Sequence, residues 1–456
     1  MGDAPLAVAG PAPIRHLAED LVPADMVTPL RPRRPAPTMD EHCDALVIGG
    51  GPAGSTISAL LSEKGWKVTL LEKARHPRFH IGESLLPRNL PILDQLGVLE
   101  EVERIGVMKH GADLTLLSGA TCRTFNFSEA DASSPTAFQV ERAAFDALLL
   151  SNSAAKGTRV LEGVRATAVE FPARGPARVR SVDDGSCERT WAAEFVVDAS
   201  GRDTLLGNLL GIKVRNHKHN SAALFAHFDG VKRRPGKAAG NISVYWFDHG
   251  WFWIIPLPDG RSSVGAVCWP AYLRMRKVSP EQFFMETIAL CPPLARRLEN
   301  ARLATPVMAA GNYSYSCKLM FGERYLLVGD AYAFVDPVFS TGVFLSMHAA
   351  ALGAETVNAC LRDPAGKKKH LRRHARIVRR GLCNLSWFIY RFTTPAMQRL
   401  FMASMNPFNM RQAVISLLAG DVFRGTPRVA VTLFKIIYFI LSLERLKRSL
   451  VSYRRR

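Results

Sequence analysis

The sequence lacks paired cysteines: its eight cysteines stand singly, with no Cys-x-x-Cys pair and no regular spacing. Neither a zinc site nor a disulfide framework is indicated, and a reducing cytoplasm is the simplest setting. His370 and His374 are spaced as metal ligands on a helix can be, but they stand among lysines and arginines and are expected on a solvated basic face. No metal site is predicted.

Acidic residues are also scarce: 40 Asp and Glu stand against 59 Lys and Arg, which gives a formal net charge of +19. A surplus of this size favours an acidic partner, and nucleic acid, anionic lipid and an acidic carrier protein all qualify. Because no nucleic-acid-binding motif accompanies the charge, a nucleic-acid partner is not predicted.

Long apolar runs are missing from both ends of the chain. The first 40 residues are rich in Ala, Pro and Arg and have no apolar core of the kind that a secretory signal needs, so residues 1–40 are predicted to be a disordered leader. The apolar segment 429–443 is shorter than the roughly 20 residues of a bilayer span. This basic-flanked helix is expected either to pack on the protein itself or to contact the inner face of the cytoplasmic membrane peripherally.

The most informative segment that is present is Asp-Ala-Leu-Val-Ile-Gly-Gly-Gly-Pro-Ala-Gly at 44–54, which leads from an apolar strand through a glycine turn into a helix. In such a turn Gly49 permits the tight bend, Gly51 lets the backbone approach a pyrophosphate, and Gly54 lets the helix pack closely on the strand. Ala53 belongs to the same turn. The segment predicts a dinucleotide-binding site.

A second apolar strand, residues 67–71, ends at Glu72, whose carboxylate can accept a hydrogen bond from a ribose hydroxyl. From Cys43 onward, strands and helices alternate, which predicts an α/β fold with a parallel sheet. A second, mostly antiparallel sheet is predicted from later short apolar segments at 222–229, 242–247, 251–256 and 262–269.

The length of the chain, 456 residues, indicates two or three lobes. After the leader, we predict a discontinuous dinucleotide-binding domain at 41–215 and 305–360, with a β-sheet substrate domain inserted at 216–304. The remainder, residues 361–456, is predicted to be a helical C-terminal region with a basic tail.

Two further segments identify the dinucleotide by resemblance. Val-Val-Asp198-Ala-Ser-Gly201-Arg resembles the strand and turn that return to the cofactor in glutathione-reductase-type flavoproteins. Tyr-Leu-Leu-Val-Gly329-Asp330-Ala resembles the segment whose carboxylate binds the ribityl or ribose part of FAD. Together with the amino-terminal turn, they occur in the order found in FAD-dependent aromatic monooxygenases. The resemblance therefore implies FAD and a glutathione-reductase-type Rossmann domain.

The same resemblance implies a role for Arg142, which stands where that family places an arginine beside the isoalloxazine or the phosphates. A surface arginine at the start of a helix is the alternative. A second nucleotide fingerprint is not found in the sequence, so the flavin is reduced either directly by NAD(P)H or by a partner flavin reductase.

Within that superfamily, the chain is similar to the flavin-dependent halogenases, the tryptophan-halogenase-like branch. One segment matches the family's W-x-W-x-I-P signature and another its F-x-x-P-x-x-S-x-G signature. A Gly-Glu segment precedes them. The three segments are His-Ile-Gly-Glu-Ser-Leu-Leu-Pro from position 80, Trp251-Phe-Trp253-Ile-Ile-Pro, and Phe-Val-Asp-Pro337-Val-Phe339-Ser340-Thr341-Gly342.

The resemblance implies a chemistry in which reduced FAD and oxygen form a C4a-hydroperoxide, which must be kept dry. Trp251 and Trp253 would wall the organic substrate off from the flavin. Backbone N–H groups at Ser340, Thr341 and Gly342 would hold chloride or bromide, which attacks the hydroperoxide to give hypohalous acid.

A lysine that passes the halogen to the substrate is also implied. We place it eight residues after the Gly-Glu segment, where this chain has Pro91, which has no amine. Phe339 replaces a family glutamate and makes the cavity more apolar, as in the branch that halogenates phenols or carrier-bound acyl groups. Lys73 and Lys109 are nearby in sequence and could substitute, although a surface salt bridge is the expectation for each.

Three functions therefore stay open. The first is a halogenase of a phenolic or carrier-bound aromatic or polyene substrate, for which the basic segment 367–380 would suit an acidic acyl carrier protein. The second is an FAD monooxygenase without halide, or a related flavin reductase or desaturase of a lipid-like small molecule, which Pro91, Phe339 and the apolar C-terminal helix favour. The third is a catalytically silent FAD-binding accessory protein.

Overall fold

The computed structural model describes residues 38–119, 121–216, 221–311, 314–403, 407–423 and 428–454. The predicted leader lies outside the described residues, except that the first strand, Thr38–Ile48, begins within its last three positions.

One sheet has a parallel core, as the alternating pattern predicts. Its strands are apolar on both faces, which is typical of a parallel sheet covered on both sides, and Val68–Glu72 is buried throughout. In spatial order the parallel strands are Tyr325–Leu327, Glu188–Asp198, Thr38–Ile48, Val68–Glu72 and Arg159–Glu162. Antiparallel strands at its margins are Phe321–Gly322, Ala177–Asp183 and Val164–Glu170.

The helices of this part pack on one another as well as on the sheet. Pro52–Glu63 contacts both Arg142–Ala155 and Thr341–Arg362. Proline at the first helical position suits Pro52–Glu63, because its missing N–H would have no partner in the helix and its φ is already helical.

A second sheet is mostly antiparallel, as predicted, but it draws on more of the chain than residues 216–304. One pairing within it is parallel, between Ile242–Phe247 and Gly111–Thr115. In spatial order its strands are Arg302–Leu303, Ala222–Asp229, Ser262–Cys268, Gly250–Pro256, Ile242–Phe247, Gly111–Thr115 and Cys122–Asn126, and Met308–Ala310 also pairs with Ala222–Asp229.

Smaller elements connect the two sheets. The short strands are Gly106–Lys109, Ala137–Val140, Lys213–Arg215, Tyr315–Cys317 and Ala333–Phe334. The connecting helices are Leu90–Leu96, Leu99–Ile105, Leu205–Leu209, Pro270–Leu273, Pro280–Ala289 and Pro292–Ala295. The C-terminal region is helical, as predicted, with Lys367–Ile389, Pro395–Met402, Met410–Leu418 and Arg428–Arg454 following Thr341–Arg362.

The prediction that His374 lies on a solvated basic face is wrong. The helix Lys367–Ile389 is amphipathic, and His374 lies on its buried face, 1% exposed, with Nδ1 3.4 Å from the Thr356 hydroxyl. Burial lowers the pKa of His374 to about 4. Within the described segments, no group of three or more His, Cys, Asp or Glu residues is arranged to hold a metal ion.

Candidate active site

A cavity of about 660 Å³ is lined by residues from both large sheets. We call it the large cavity. It brings together most of the site residues predicted from the sequence, although they come from segments far apart in the chain. Those that line it are Gly49, Gly51, Ala53, Glu72, Arg142, Gly201, Trp251, Trp253, Asp330, Pro337, Ser340 and Gly342.

The amino-terminal glycine turn has the geometry that a pyrophosphate site needs. A Cβ at Gly49 would lie 2.4 Å from the Ala199 carbonyl oxygen, and one at Gly54 would lie 1.8 Å from the Gly49 carbonyl oxygen. Gly49 also has a φ of +104°, which favours glycine. Gly54 thus lies behind the cavity wall, while Gly51 faces the cavity at the start of the helix. A pyrophosphate fits there, because the helix amino terminus points N–H groups at it.

Glu72 ends its strand with the carboxylate at the cavity wall, 4% exposed. One carboxylate oxygen accepts a hydrogen bond from the Gly50 N–H at 2.6 Å and the other from the Ala74 N–H at 2.8 Å. These bonds fix the carboxylate beside the glycine turn, where a ribose hydroxyl can reach it.

Arg142 is buried, 5% exposed, so the alternative of a surface arginine is wrong. Its guanidinium donates to both carboxylate oxygens of Asp146, at 2.8 and 2.9 Å, and to the Ile81 carbonyl at 2.8 Å. Burial by itself would raise the pKa of Asp146, but Arg142 holds that pKa below its usual value. The pair is neutral as a whole, but it fixes the Arg142 guanidinium at the cavity wall, and Asp146 does not itself line the cavity.

Asp198 does not line the cavity. Its buried carboxylate accepts hydrogen bonds from the backbone N–H groups of Ser200 at 2.9 Å and Leu206 at 2.7 Å, which holds the turn that presents Gly201 to the cavity. Burial raises the pKa of Asp198. This residue therefore shapes the return turn from behind it.

Asp330 lines the cavity and Gly329 supports it from behind. Gly329 has a φ of +58°, and a Cβ there would lie 2.7 Å from the Ser346 hydroxyl oxygen. Burial raises the pKa of Asp330 to about 6, against the opposing effect of Arg202 and Arg142. With that pKa the carboxyl group is mostly ionised at pH 7 and accepts hydrogen bonds, and it gains a donor only as the pH falls through about 6.

Trp251 and Trp253 form one wall of the cavity. They alternate along Gly250–Pro256, so both indoles project from the same face of the strand, with ring centroids 5.8 Å apart. Trp253 Nε1 donates to the Ser263 hydroxyl at 3.1 Å. Gly265, paired with Trp253 on the next strand, leaves the space that this indole fills.

Replacement of Gly265 by alanine is expected to destabilise the protein by about 1–3 kcal/mol, the usual range for overpacking. A Cβ at Gly265 would lie 2.1 Å from the Trp253 ring, so the indole must move. Urea unfolding and the tryptophan emission maximum measure the two effects. Gly311→Ala is the control, because the nearest atom to its Cβ would be 3.7 Å away. Equal stability of the two variants would contradict the packing argument.

The turn that precedes the helix Thr341–Arg362 also lines the large cavity. Ser340 has a φ of +55° and begins the helix without a side-chain cap, and Ser340 and Gly342 line the cavity while Thr341 is buried at 2% exposure. Because the first N–H groups of a helix have no partner within it, an anion fits at this point. Pro337 lies at the cavity wall in the preceding turn.

A smaller cavity of about 30 Å³, which we call the lysine cavity, shares Ser340 and Ile242 with the large one. Phe339 lines it and does not line the large cavity. The other lining residues are apolar except for Lys109: Leu86, Ala112, Leu114, Phe127, Val244, Val338, Phe392 and Leu418.

Lys109 was expected in a surface salt bridge, and that expectation is wrong. It is 1% exposed, and its Nζ donates to the Ser84 hydroxyl at 2.9 Å and the Leu85 carbonyl at 3.0 Å. The ammonium lies 5.3 Å from the Phe127 ring centroid. Burial lowers the pKa of Lys109 to about 7.

The other two candidate positions lie elsewhere. Pro91 is exposed near the start of Leu90–Leu96 and lines neither cavity, so its lack of an amine removes nothing from the site. Lys73 forms the predicted surface salt bridge, with Asp203, at the rim of the large cavity. The signal for Lys109 was weak: a lysine that ends a short apolar stretch.

Comparison with known proteins gives the family of this chain. The family described as FAD binding domain matches residues 42–380. The chain is 30% identical over 410 residues to the 1H-pyrrole-2-carbonyl-(peptidyl-carrier protein) chlorinase of Pseudomonas fluorescens, which covers 85% of this chain and 91% of that protein.

Solved structures give the same result. A flavoprotein/dehydrogenase from Cytophaga hutchinsonii superimposes with a TM-score of 0.81 at 28% identity, covering 89% of this chain and 100% of that one. The myxobacterial chondrochloren halogenase superimposes with a TM-score of 0.75 at 32% identity, covering 88% and 97%. The chain therefore belongs to the FAD binding domain family and, within it, to the flavin-dependent halogenases.

Proposed function

We propose that this enzyme halogenates an apolar aromatic group, with the Lys109 amine as the group that passes the halogen to the substrate. The observation that carries the proposal is a buried lysine, in contact with aromatic side chains, in a cavity that shares Ser340 with the large cavity. The oxygen-transfer alternative depended largely on Pro91, which lies outside both cavities.

The residues of the large cavity fit FAD, since the glycine turn has no room for a Cβ at Gly49 or Gly54 and Glu72 and Arg142 are fixed at the cavity wall. Bound there in its reduced form, FAD supplies the reduction of oxygen that allows a halide to be oxidised to hypohalous acid. The N–H groups at the start of Thr341–Arg362 bind the halide. Trp251 and Trp253 keep the substrate on the far side of the wall.

Lys109 then acts on the hypohalous acid. The lone pair of its neutral amine attacks the halogen, hydroxide leaves and takes one N–H proton, and water and an N-haloamine result. The aromatic carbon of the substrate next takes the halogen and loses a proton, which restores the amine. The Ser84 hydroxyl and the Leu85 carbonyl orient Nζ for this step.

The halogenation rate is expected to rise with pH through about 7, because only the neutral amine has a lone pair and burial brings the pKa of Lys109 to about 7. Initial rates measured from pH 6 to 9, with free flavin reduced chemically, give the profile. A rate that falls as pH rises through this window would mean that the ammonium, acting as a hydrogen-bond donor, is the working form.

The lining of the lysine cavity is apolar apart from Lys109 and Ser340, and this lining favours an aromatic acyl group as the substrate. Its volume of about 30 Å³ is well below the ~150 Å³ of a cavity that holds benzene, so Phe392 or a neighbour must move when a ring enters. A carrier-bound aromatic acyl group is the proposed form. The support is the similar carrier-protein chlorinase and the exposed basic face of Lys367–Ile389, formed by Lys368, Lys369, Arg372, Arg373 and Arg376.

The experiment supplies FAD, a separate flavin reductase and NADH, with chloride or bromide, to carrier-bound and free aromatic acids. Mass spectrometry should find a halide-dependent isotope pattern on the carrier-bound acid. Hydroxylated product that does not depend on halide would reject the proposal. Rapid reduction of the flavin by NADH without the separate reductase would show that no partner reductase is needed. Halogenation of the free acid but not of the carrier-bound acid would reject a carrier-bound substrate.

A further inference from the structure

The last helix, Arg428–Arg454, is apolar on two sides, and one side is held against the protein. Ala430, Phe434 and Tyr438, spaced by four, are buried. The Phe434 ring lies 5.5 Å from Phe388, and the Tyr438 ring lies 5.2 Å from Trp387. These contacts fix which face of the helix is turned outward.

The outward side carries a continuous apolar strip, which we call the outer stripe. Single exposed apolar residues are ordinary on protein surfaces, but a run of them along one helix marks a contact surface. Positions separated by three, four and seven lie on one face of a helix. The members and their exposed fractions are Val429 75%, Ile436 49%, Phe439 50%, Ile440 50% and Leu443 59%.

Charged residues in this part of the chain are mostly basic. Residues 428–456 contain eight Lys and Arg and a single acid, Glu444. Basic residues beside an apolar helix face are the pattern of helices that lie in the interface of anionic membranes, where each contributes to binding. No helix in the described part of the chain is long and apolar enough to cross a bilayer.

We propose that the outer stripe docks this enzyme on the surface of an anionic lipid bilayer, with the helix parallel to the membrane plane. A second copy of the chain is the less favoured occupant, because two such segments face to face would bring together like charges, which opposes association. An anionic bilayer complements both the stripe and the chain's net charge of +19.

The inward side of the last helix is close to the lysine cavity. Phe401 lies 6.4 Å from Phe434 of the last helix and 5.9 Å from Phe392, which lines that cavity. The last helix and one aromatic cluster thus lie between the outer stripe and the lysine cavity. This placement suits an apolar substrate, although the docking itself does not depend on the proposed chemistry.

The test is sedimentation of the full-length, FAD-loaded protein with phosphatidylcholine vesicles and with equimolar phosphatidylcholine–phosphatidylserine vesicles. The stripe variant combines Ile436→Ser, Phe439→Ser and Ile440→Ser. The control variant combines Met275→Ser, Leu290→Ser and Leu319→Ser, whose side chains are equally exposed elsewhere, at 59%, 49% and 51%. Flavin absorbance and circular dichroism verify that each variant is folded.

We expect the unmodified and control proteins to sediment with the anionic vesicles. The stripe variant should bind these vesicles at least about 10-fold more weakly, because it lacks three apolar side chains that the bilayer would bury. Three outcomes would overturn the proposal: no sedimentation of the unmodified protein, equal binding by the stripe variant, or a dimer without lipid that the stripe substitutions abolish. The last would assign the stripe to a second copy.

Discussion

Lys109→Met is expected to lower the halogenation rate by about 100-fold or more while FAD stays bound, a loss within the range for removal of a group that acts directly on the reacting atoms. Methionine is close to lysine in length and shape but has no amine. The side chain is 1% exposed and lies among apolar residues, so methionine should pack there, at a cost of about 1–3 kcal/mol because the Ser84 hydroxyl and the Leu85 carbonyl lose their donor.

The measurements for this variant are product formation by mass spectrometry, flavin content by absorbance and the urea unfolding midpoint. Lys109→Arg should also be inactive, because arginine is not neutral near pH 7. Lys156→Met, which removes a surface pair with Glu63 outside both cavities, is the matched control and should keep its activity. Normal halogenation by Lys109→Met would remove Lys109 from the mechanism.

Asp146→Ala is expected to cost about 3–5 kcal/mol of unfolding free energy, because it leaves the buried Arg142 guanidinium without its counter-charge. Asp146 is 0% exposed and bonds Arg142 through both oxygens, while Arg78 lies 3.4 Å from the same carboxylate. FAD affinity should fall as well, since Arg142 is then no longer held at the cavity wall.

The control for this loss is Glu170→Ala, which breaks the Arg180–Glu170 pair at 3.3 Å. Both partners are more than half exposed, so water screens the pair and about 0–1 kcal/mol is expected. Urea unfolding of both variants measures the difference. The double variant Arg142→Met, Asp146→Leu should recover much of the stability without recovering FAD affinity. Similar midpoints for Asp146→Ala and Glu170→Ala would contradict the structural role of the pair.

Features of the site that depend on local geometry could be predicted from the sequence. The glycine turn is such a feature, because the close approach of Gly54 to the Gly49 carbonyl oxygen and the positive φ of Gly49 both arise within a single strand–turn–helix unit. The position of Trp251 and Trp253 on one face is another, since it follows from the two-residue period of a strand. The strand–helix alternation that predicts a parallel sheet is local in the same sense.

The position of Lys109 depends on contacts between distant segments. Gly106–Lys109 pairs with Ala137–Val140, and Gln139 in that strand bridges to Ser84. These pairings bring the amine to the Gly-Glu segment and bury it. Placement by sequence counting pointed to Pro91 because a count along the chain carries no information on which strands pair.

Arg142 and His374 are similar cases, because each lies on a helix whose inward face decides burial. The sequence left the burial of Arg142 open and predicted solvent exposure for His374. Polar neighbours suggested solvent for His374, but the apolar period of Leu371, Ala375 and Val378 places it on the buried face. A polar residue is buried when it lies on the helix face that packs against the protein. Charged neighbours on the opposite face do not change this burial.

The amino-acid sequence by itself determined the cofactor, the two-sheet architecture and the halogenase family. Each could be predicted from short motifs or local patterns whose geometry is fixed within a few residues. Only the tertiary structure decided which candidate lysine is buried, which arginine is buried with its carboxylate and which face of the last helix meets solvent. These depend on long-range strand pairing and on helix packing, where the free energy of burial selects one arrangement among several that the local sequence allows.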